Sequence, residues 1–424
     1  MLCNLYSPEF RVGLEKLGVK NLRPQQEAPM GAILSGRDVI VKMPTGGGKS
    51  ILFQAPAQTD SASALTLVIS PLRALQDDQV INLKKLGIRA ARLNSDLTPV
   101  QHAAVLTDFC THGGLLYLAP EQLQNPRVAD QLRSANVVRI AVDEAHILAQ
   151  AKDDFRKAYG KIGSFIQTIP HRPQLLALTA TATRHDTREI MTSLGMRESA
   201  VFDFPIRRDN LRLSVKKVEV PGKKSRRCSL ETLRFQAVER VLRGWNGKGS
   251  AIVYCPTVKM VRKLSKWLKV RGYPVGKYHG KMKHTKRKKM QAAFMSGSRP
   301  IMVATNAFGL GIDKADVRLI IHAGLPLSMD GWVQEIGRAG RDGKKSRCVL
   351  IYARKDISTA ERLLRQSGGK KAVRRKLQRL HALCSLLESK KCLWRGIEKY
   401  FGQNKLEPCG HCSHCKRKSK QIHF

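Results

Sequence analysis

The chain has 424 residues, room for two full-sized domains and a smaller module, and its 42% hydrophobic content is ordinary for a globular protein. No apolar run is long enough to cross a bilayer and no leader pattern opens the chain, which predicts a soluble, intracellular protein without a membrane partner. The formal charge of +43 is lopsided, +5 over residues 1–200 and +38 over residues 201–424. A half so basic repels itself unless a polyanion neutralises it, so nucleic acid is the expected partner, held with a steep salt dependence.

Over residues 1–204, "DVIVKM", "LTLVIS", "GLLYLAP", "VVRIAVDEAH" and "QLLALTATAT" read as buried strands alternating with amphipathic helices. The pattern predicts an α/β domain with a mostly parallel sheet, helices on both faces, and chemistry at the strands' C-terminal ends. Residues 205–228 read as a basic connecting segment. The alternation restarts over residues 229–355 with "SAIVYCPT", "PIMVATNAFGLGID", "RLIIHAGLP" and "RCVLIYA", a second sheet domain. Over residues 356–424 strands cease, and basic helical stretches lead into a cysteine-rich end.

"MPTGGGKS" follows a strand and precedes a helical stretch. Thr45 and the glycines Gly46, Gly47 and Gly48 let backbone amides close around phosphate oxygens. Lys49 brings charge to the β/γ-phosphates, and the Ser50 hydroxyl suits Mg²⁺. The general phosphate-loop pattern wants glycine where Met43 stands. Asp143 and Glu144 end a strand, where Asp143 is expected in the Mg²⁺ shell and Glu144 beside the attacking water. His146 is either a capping or a packed histidine, and the "TATAT" hydroxyls are expected near this strand. In "QEIGRAGRDG", Gln334 precedes Arg338 and Arg341, whose spacing predicts one face of a helix. Asp313 sits in a glycine-lined turn upstream.

Of ten cysteines, six are scattered as in a reduced protein. Cys392, Cys409, Cys412 and Cys415 form C-x16-C-x2-C-x2-C, four thiolates suited to tetrahedral, structural zinc. His411 and His414 are alternative ligands.

Together with "LRPQQ", "VISPLRALQDDQV" and "YHG", these motifs resemble the RecQ family of superfamily 2 DNA helicases from about Leu17 to Cys415. The resemblance implies two tandem RecA-like domains plus a small helical zinc-binding module. It also implies ATP hydrolysis between the domains, 3′-to-5′ movement on single-stranded DNA, unwinding of forked duplex, and work in recombination or repair. By it, Arg23 and Gln26 help read adenine and Arg341 is the arginine finger. The cofactors implied are ATP, Mg²⁺ and Zn²⁺. The expected setting is a bacterial cytoplasm at the nucleoid, or else a nucleus.

Departures from the family pattern matter too. Ala151 and Asp153 stand where the loop after DEAH usually carries a tryptophan and a histidine. A lost stacking ring, worth about 1–3 kcal/mol per base, predicts weaker coupling of DNA to hydrolysis. Val19 replaces a ring common beside adenine, and Val258 an arginine near "YCPT". The chain stops nine residues past Cys415 and is read as a short form without winged-helix and HRDC domains. Two other readings stay open: a DNA-stimulated translocase that unwinds weakly, and a DNA-binding scaffold with an inactive ATP site.

Overall fold

The computed structural model describes residues 6–71, 73–94, 96–151, 157–219, 229–309, 314–366, 369–404 and 407–419. The chain divides into two compact units, Met1–Pro205 and Ile206–Phe424. Among the described residues, no helix is long and apolar enough to cross a membrane.

The first unit holds β1 (Val39–Lys42), β2 (Leu65–Ile69), β3 (Ala90–Leu93), β4 (Gly114–Leu118), β5 (Val137–Asp143), β6 (Gln174–Thr179) and β7 (Ala200–Asp203). They form one sheet in the order β3-β4-β2-β5-β6-β1-β7, with every pairing parallel. Parallel strands covered on both faces read as unbroken apolar runs, and β1 and β2 are buried at every residue. Their side chains alternate between two cores: Val39 and Val41 join one, Ile40 the other. Helix starts are sharp where the sequence supplies caps. Thr98 with Gln101, and Thr183 with Asp186, each make a reciprocal capping box.

The second unit holds β8 (Leu211–Lys217), β9 (Ser250–Tyr254), β10 (Val275–Tyr278), β11 (Ile301–Ala304), β12 (Val317–His322) and β13 (Ser346–Tyr352). Their order is β10-β11-β9-β12-β13-β8, again parallel throughout. Here the structure corrects the expected connecting segment. Residues 211–217 of that segment are the edge strand β8, paired with β13 from Leu211↔Ser346 to Lys217↔Tyr352. Its burial alternates, with Leu211, Leu213 and Val215 inward and Arg212 and Lys216 outward, as an edge strand requires. Residues 220–228 of the same segment lie outside the described residues.

Past β13 come the helices Arg354–Arg365, Lys370–Glu388, Leu393–Tyr400 and Ser413–Ser419. Leu380, Leu383, Trp394, Ile397 and Phe401 share one core with Leu211, Leu213 and Val215, so the cysteine-bearing segment is built onto the second sheet. Polar contacts seal the edge: Trp394 Nε1 donates to the Leu211 carbonyl at 3.2 Å, and Val215 N donates to Ser413 Oγ at 3.1 Å. Trp394→Phe keeps the ring but strips Leu211 of this donor. It is expected to destabilise the second unit by about 1–3 kcal/mol, read as a lower urea midpoint at unchanged slope.

Candidate active site and cysteine centre

In the first unit the phosphate-loop residues follow β1 and the acidic pair closes β5, with β6 between them. Thr179, the last residue of β6, joins the two. Its carbonyl accepts from Met43 N at 2.9 Å, and its hydroxyl lies 3.0 Å from His146 Nδ1. His146 is buried and also reaches Glu144 Oε2 at 3.3 Å, so the histidine packs and pairs at once. The expected contact between the "TATAT" hydroxyls and the acidic strand is therefore present.

The loop's glycines answer to space as well as flexibility. A Cβ on Gly47 would meet Met43 Cγ at 2.5 Å, and Met43 is fully buried beneath the loop, which explains a methionine at that place. Gly48 has φ +78, and a Cβ there would meet Gln26 Nε2 at 2.5 Å. Thr45 and the exposed Gly46 complete the turn. Lys49 Nζ donates to the Met43 carbonyl at 3.0 Å, and Gln79 Nε2 donates to Ser50 Oγ at 3.1 Å.

Arg23 and Gln26 brace this loop. Arg23 Nη1 donates to Gly46 O at 2.7 Å. Gln26 Nε2 donates to Gly47 O at 3.2 Å and Gly48 O at 3.0 Å, while its Oε1 accepts from Arg23 N at 2.8 Å. Gln26 must release loop carbonyls before its amide can read a base.

Asp143 Oδ1 accepts from Glu144 N at 2.9 Å, and Ser70 Oγ lies 3.5 Å from Oδ2. Burial raises the Asp143 carboxyl to about 6, the Glu144 charge adds to the rise, and Lys49 opposes it. Glu144 itself takes φ +50, a left-handed backbone that costs a non-glycine residue about 1–2 kcal/mol and turns the chain sharply off the strand. Ser70, Gln79 and Thr179 were not singled out from the sequence, because isolated Ser, Gln and Thr are too common to signal a site.

In the second unit the arginine segment departs from expectation. The helix Met329–Ile336 carries the half-buried Gln334 and stops there, so Arg338 and Arg341 lie in the turns after it and share no helical face. Glycines explain the stop: Gly340 has φ +54 and Gly343 φ +79, and Gly340 N donates instead to Val317 O at 2.9 Å. Arg208 Nη1 donates to the freed Gly337 carbonyl at 2.9 Å, and Asn210 Nδ2 to that of Gly340 at 2.9 Å. Both come from the segment expected to be a mere connection. Arg338 is buried, near Gly309 and the hydroxyl of Tyr254, whose ring stacks on His322 at 5.4 Å. Asp313 lies outside the described residues, as do Asp153 and its neighbours from Lys152 to Arg156. Ala151 ends the helix His146–Ala151.

The four cysteines converge. One sulfur from each of Cys392, Cys409, Cys412 and Cys415 lies within 4.8 Å of the other three. Cys392 caps the helix Leu393–Tyr400 from its N-terminal end, and Cys415 rides on Ser413–Ser419. Cys409 N approaches Cys392 Sγ at 3.2 Å and Cys412 N approaches Cys409 Sγ at 3.3 Å, bonds that favour thiolate. Hydrogen bonds from the Cys409 and Cys412 thiols hold Cys392 far below the ordinary thiol range. The histidines turn away: His411 Nδ1 lies 2.6 Å from Cys409 O and His414 Nδ1 2.8 Å from Lys391 O. Four convergent sulfurs fit a tetrahedral zinc ion with no position left open, hence a structural one.

Three family profiles match in chain order: DEAD/DEAH box helicase over residues 23–190, helicase conserved C-terminal domain over 234–343, and RecQ zinc-binding over 354–416. The chain is 33% identical over 401 residues to the ATP-dependent DNA helicase RecQ of Bacillus subtilis (strain 168), a match covering 94% of this chain and 65% of that one. It is 36% identical over 353 residues to the same organism's "Probable ATP-dependent DNA helicase RecS", covering 83% and 68%. The chain thus spans just under two thirds of the first relative's length. In fold it is similar to Mss116p bound to single-stranded RNA and AMP-PNP, with TM-score 0.70, 18% identity, and coverage of 95% of this chain and 89% of that one.

Proposed function

Because this chain belongs to the RecQ family of helicases, we propose that it is an ATP-dependent DNA helicase that moves 3′ to 5′ along single-stranded DNA and opens forked duplex, serving recombination or repair. The observation that carries the reading is Thr179, which ties the phosphate loop and the acidic pair to one strand end. In this reading the amides of Thr45–Ser50 cradle the phosphates and Lys49 draws charge from the γ-phosphate. Ser50 and Asp143 are the residues to hold Mg²⁺, which supplies charge neutralisation at the phosphate oxygens. Glu144 orients a water for in-line attack at the γ-phosphorus and takes its proton as the bond to ADP breaks. His146, braced on Thr179, keeps Glu144 in place.

The second unit's role is to answer charge developing on the leaving and transferred groups. Arg341 acts as the finger, Arg338 supports it, and Gln334 positions water or phosphate. Asp313 completes the nucleotide-binding set. Gln26, once its carbonyl contacts loosen, and Arg23 read the adenine. Zinc at the four cysteines holds the last helices onto β8. The neutral-pH working site is the cytoplasm at the nucleoid, or the nucleus in a eukaryote.

Tailed duplexes test polarity. With ATP, a duplex bearing a 3′ single-stranded tail should be opened and one bearing a 5′ tail should not. The reverse preference refutes the proposal. Hydrolysis without strand separation on either favours the translocase reading, to which Ala151 and Asp153 already lean. Arg341→Ala should cut turnover about a thousandfold or more at saturating DNA, the usual worth of an arginine finger. Turnover within a few-fold of the parent removes Arg341 from that role.

A further inference from the structure

The positive charge of the second unit is concentrated at one unassigned cavity. The loop Gly244–Gly249 joins the helix Leu230–Arg243 to β9, and with the starts of β12 and β13 it lines a cavity of about 580 Å³. This is the N-terminal end of the sheet, whereas Cys255–Thr257 and His322–Leu325 follow the strands at the other end. Trp245 borders the cavity, half-buried against the core beneath it. Its Nε1 donates to the Lys248 carbonyl at 3.2 Å, and Arg347 Nη1 donates to Gly244 O at 3.0 Å, so ring and loop are held in place. Gly249 has φ +75, and a Cβ there would collide with the Asp316 carbonyl, so the floor admits only glycine.

Charge on the lining is one-sided. Asp316, the only carboxylate there, pairs with Lys314 at 3.2 Å, and Arg318 is matched by Asp342. Lys248, Lys344, Lys345 and Arg347 line the same cavity, and none forms an ion pair among the described residues. Behind them, Lys216 is held below its ordinary value by burial and by the charges of Arg240 and Arg347, the mark of an uncompensated positive field.

We propose that this cavity is a second contact for single-stranded nucleic acid, with phosphates between Lys248, Lys344 and Lys345 and one base stacked on Trp245. An unneutralised cluster beside an immobilised indole is the chemistry that pairs backbone with base, and only an unpaired base is open to the ring. The inference rests on nucleic acid being the partner, as proposed above, and not on ATP hydrolysis.

Anisotropy of labelled oligothymidine on the full chain, without nucleotide and across a salt series, tests it beside competition with inorganic polyphosphate. Trp245→Ala should weaken oligothymidine about tenfold while leaving polyphosphate unchanged, and Trp245→Phe should restore most of the loss. Lys344→Gln with Lys345→Gln should weaken both ligands and flatten the salt slope by about one. Trp245→Ala with parental DNA affinity overturns the site, and so does an equal loss of polyphosphate, which would mark a merely structural ring. A parent that binds DNA but hydrolyses no ATP sinks the motor reading and leaves these differences standing. A parent that does both, with variants indistinguishable from it, sinks only the cavity.

Discussion

Lys49→Ala is expected to lower ATP turnover by about a hundred- to a thousandfold while single-stranded DNA affinity stays within about twofold of the parent. Two physical terms add up to the loss. The ammonium that now bonds the Met43 carbonyl at 3.0 Å is the positive charge available to the β/γ-phosphates. It also opposes the burial that lifts Asp143 to about 6, so removing it raises that carboxyl further and weakens its hold on Mg²⁺ at neutral pH. The sign is definite: a carboxyl whose proton is held more tightly needs a higher pH to become an anion, so any residual activity should shift its acid limb upward. DNA affinity is spared because the excess charge, +38, lies in residues 201–424. Single-turnover hydrolysis with matched anisotropy titrations checks both halves of the expectation.

Cys409→Ser should lower the melting temperature of the second unit by about 10 °C or more and leave the transition of the first unit in place. Zinc bound to four thiolates contributes about 10–16 kcal/mol in small domains, and in a unit this size each kcal/mol moves the midpoint by about 2–4 °C. The consequence spreads because the helix Leu393–Tyr400 is not an appendage. Trp394, Ile397 and Phe401 share a core with Leu211, Leu213 and Val215, and Trp394 bonds the edge strand directly. A serine hydroxyl neither ionises at neutral pH nor accepts the Cys412 amide as a thiolate does. Calorimetry of parent and variant, with and without a chelator, decides the matter. Parent plus chelator should melt like the variant, and coincident melting of all four samples would contradict a structural metal.

Much of this architecture was legible in the sequence. "DVIVK", "LTLVI" and "VVRIAVD" are buried on both faces and so show as unbroken apolar runs, and the phosphate loop, acidic pair and cysteines declare themselves through spacing. What escaped is physically coherent. Strands β3, β7, β8 and β10 are short or lie toward sheet edges, so their apolar content is thin or alternates with charge. In "LRLSVKK" the lysines and arginine that face outward mimic a linker. Arg338 and Arg341 have helical spacing, but Gly340 bends the chain into a turn that spacing alone does not reveal. Gln26 was placed at adenine by resemblance, and the structure has its amide committed to Gly47 and Gly48. Arg208 and Asn210 were invisible as supports, since the carbonyls they bind belong to residues about 130 positions away.

The central claim is a nucleotide-driven motor that responds to DNA, and steady-state ATP turnover with and without single-stranded DNA tests it most directly. The account predicts slow turnover alone, a rise of at least about tenfold with saturating DNA, and loss of both on Lys49→Ala. Turnover that ignores DNA, or that survives in the Lys49 variant, would contradict it.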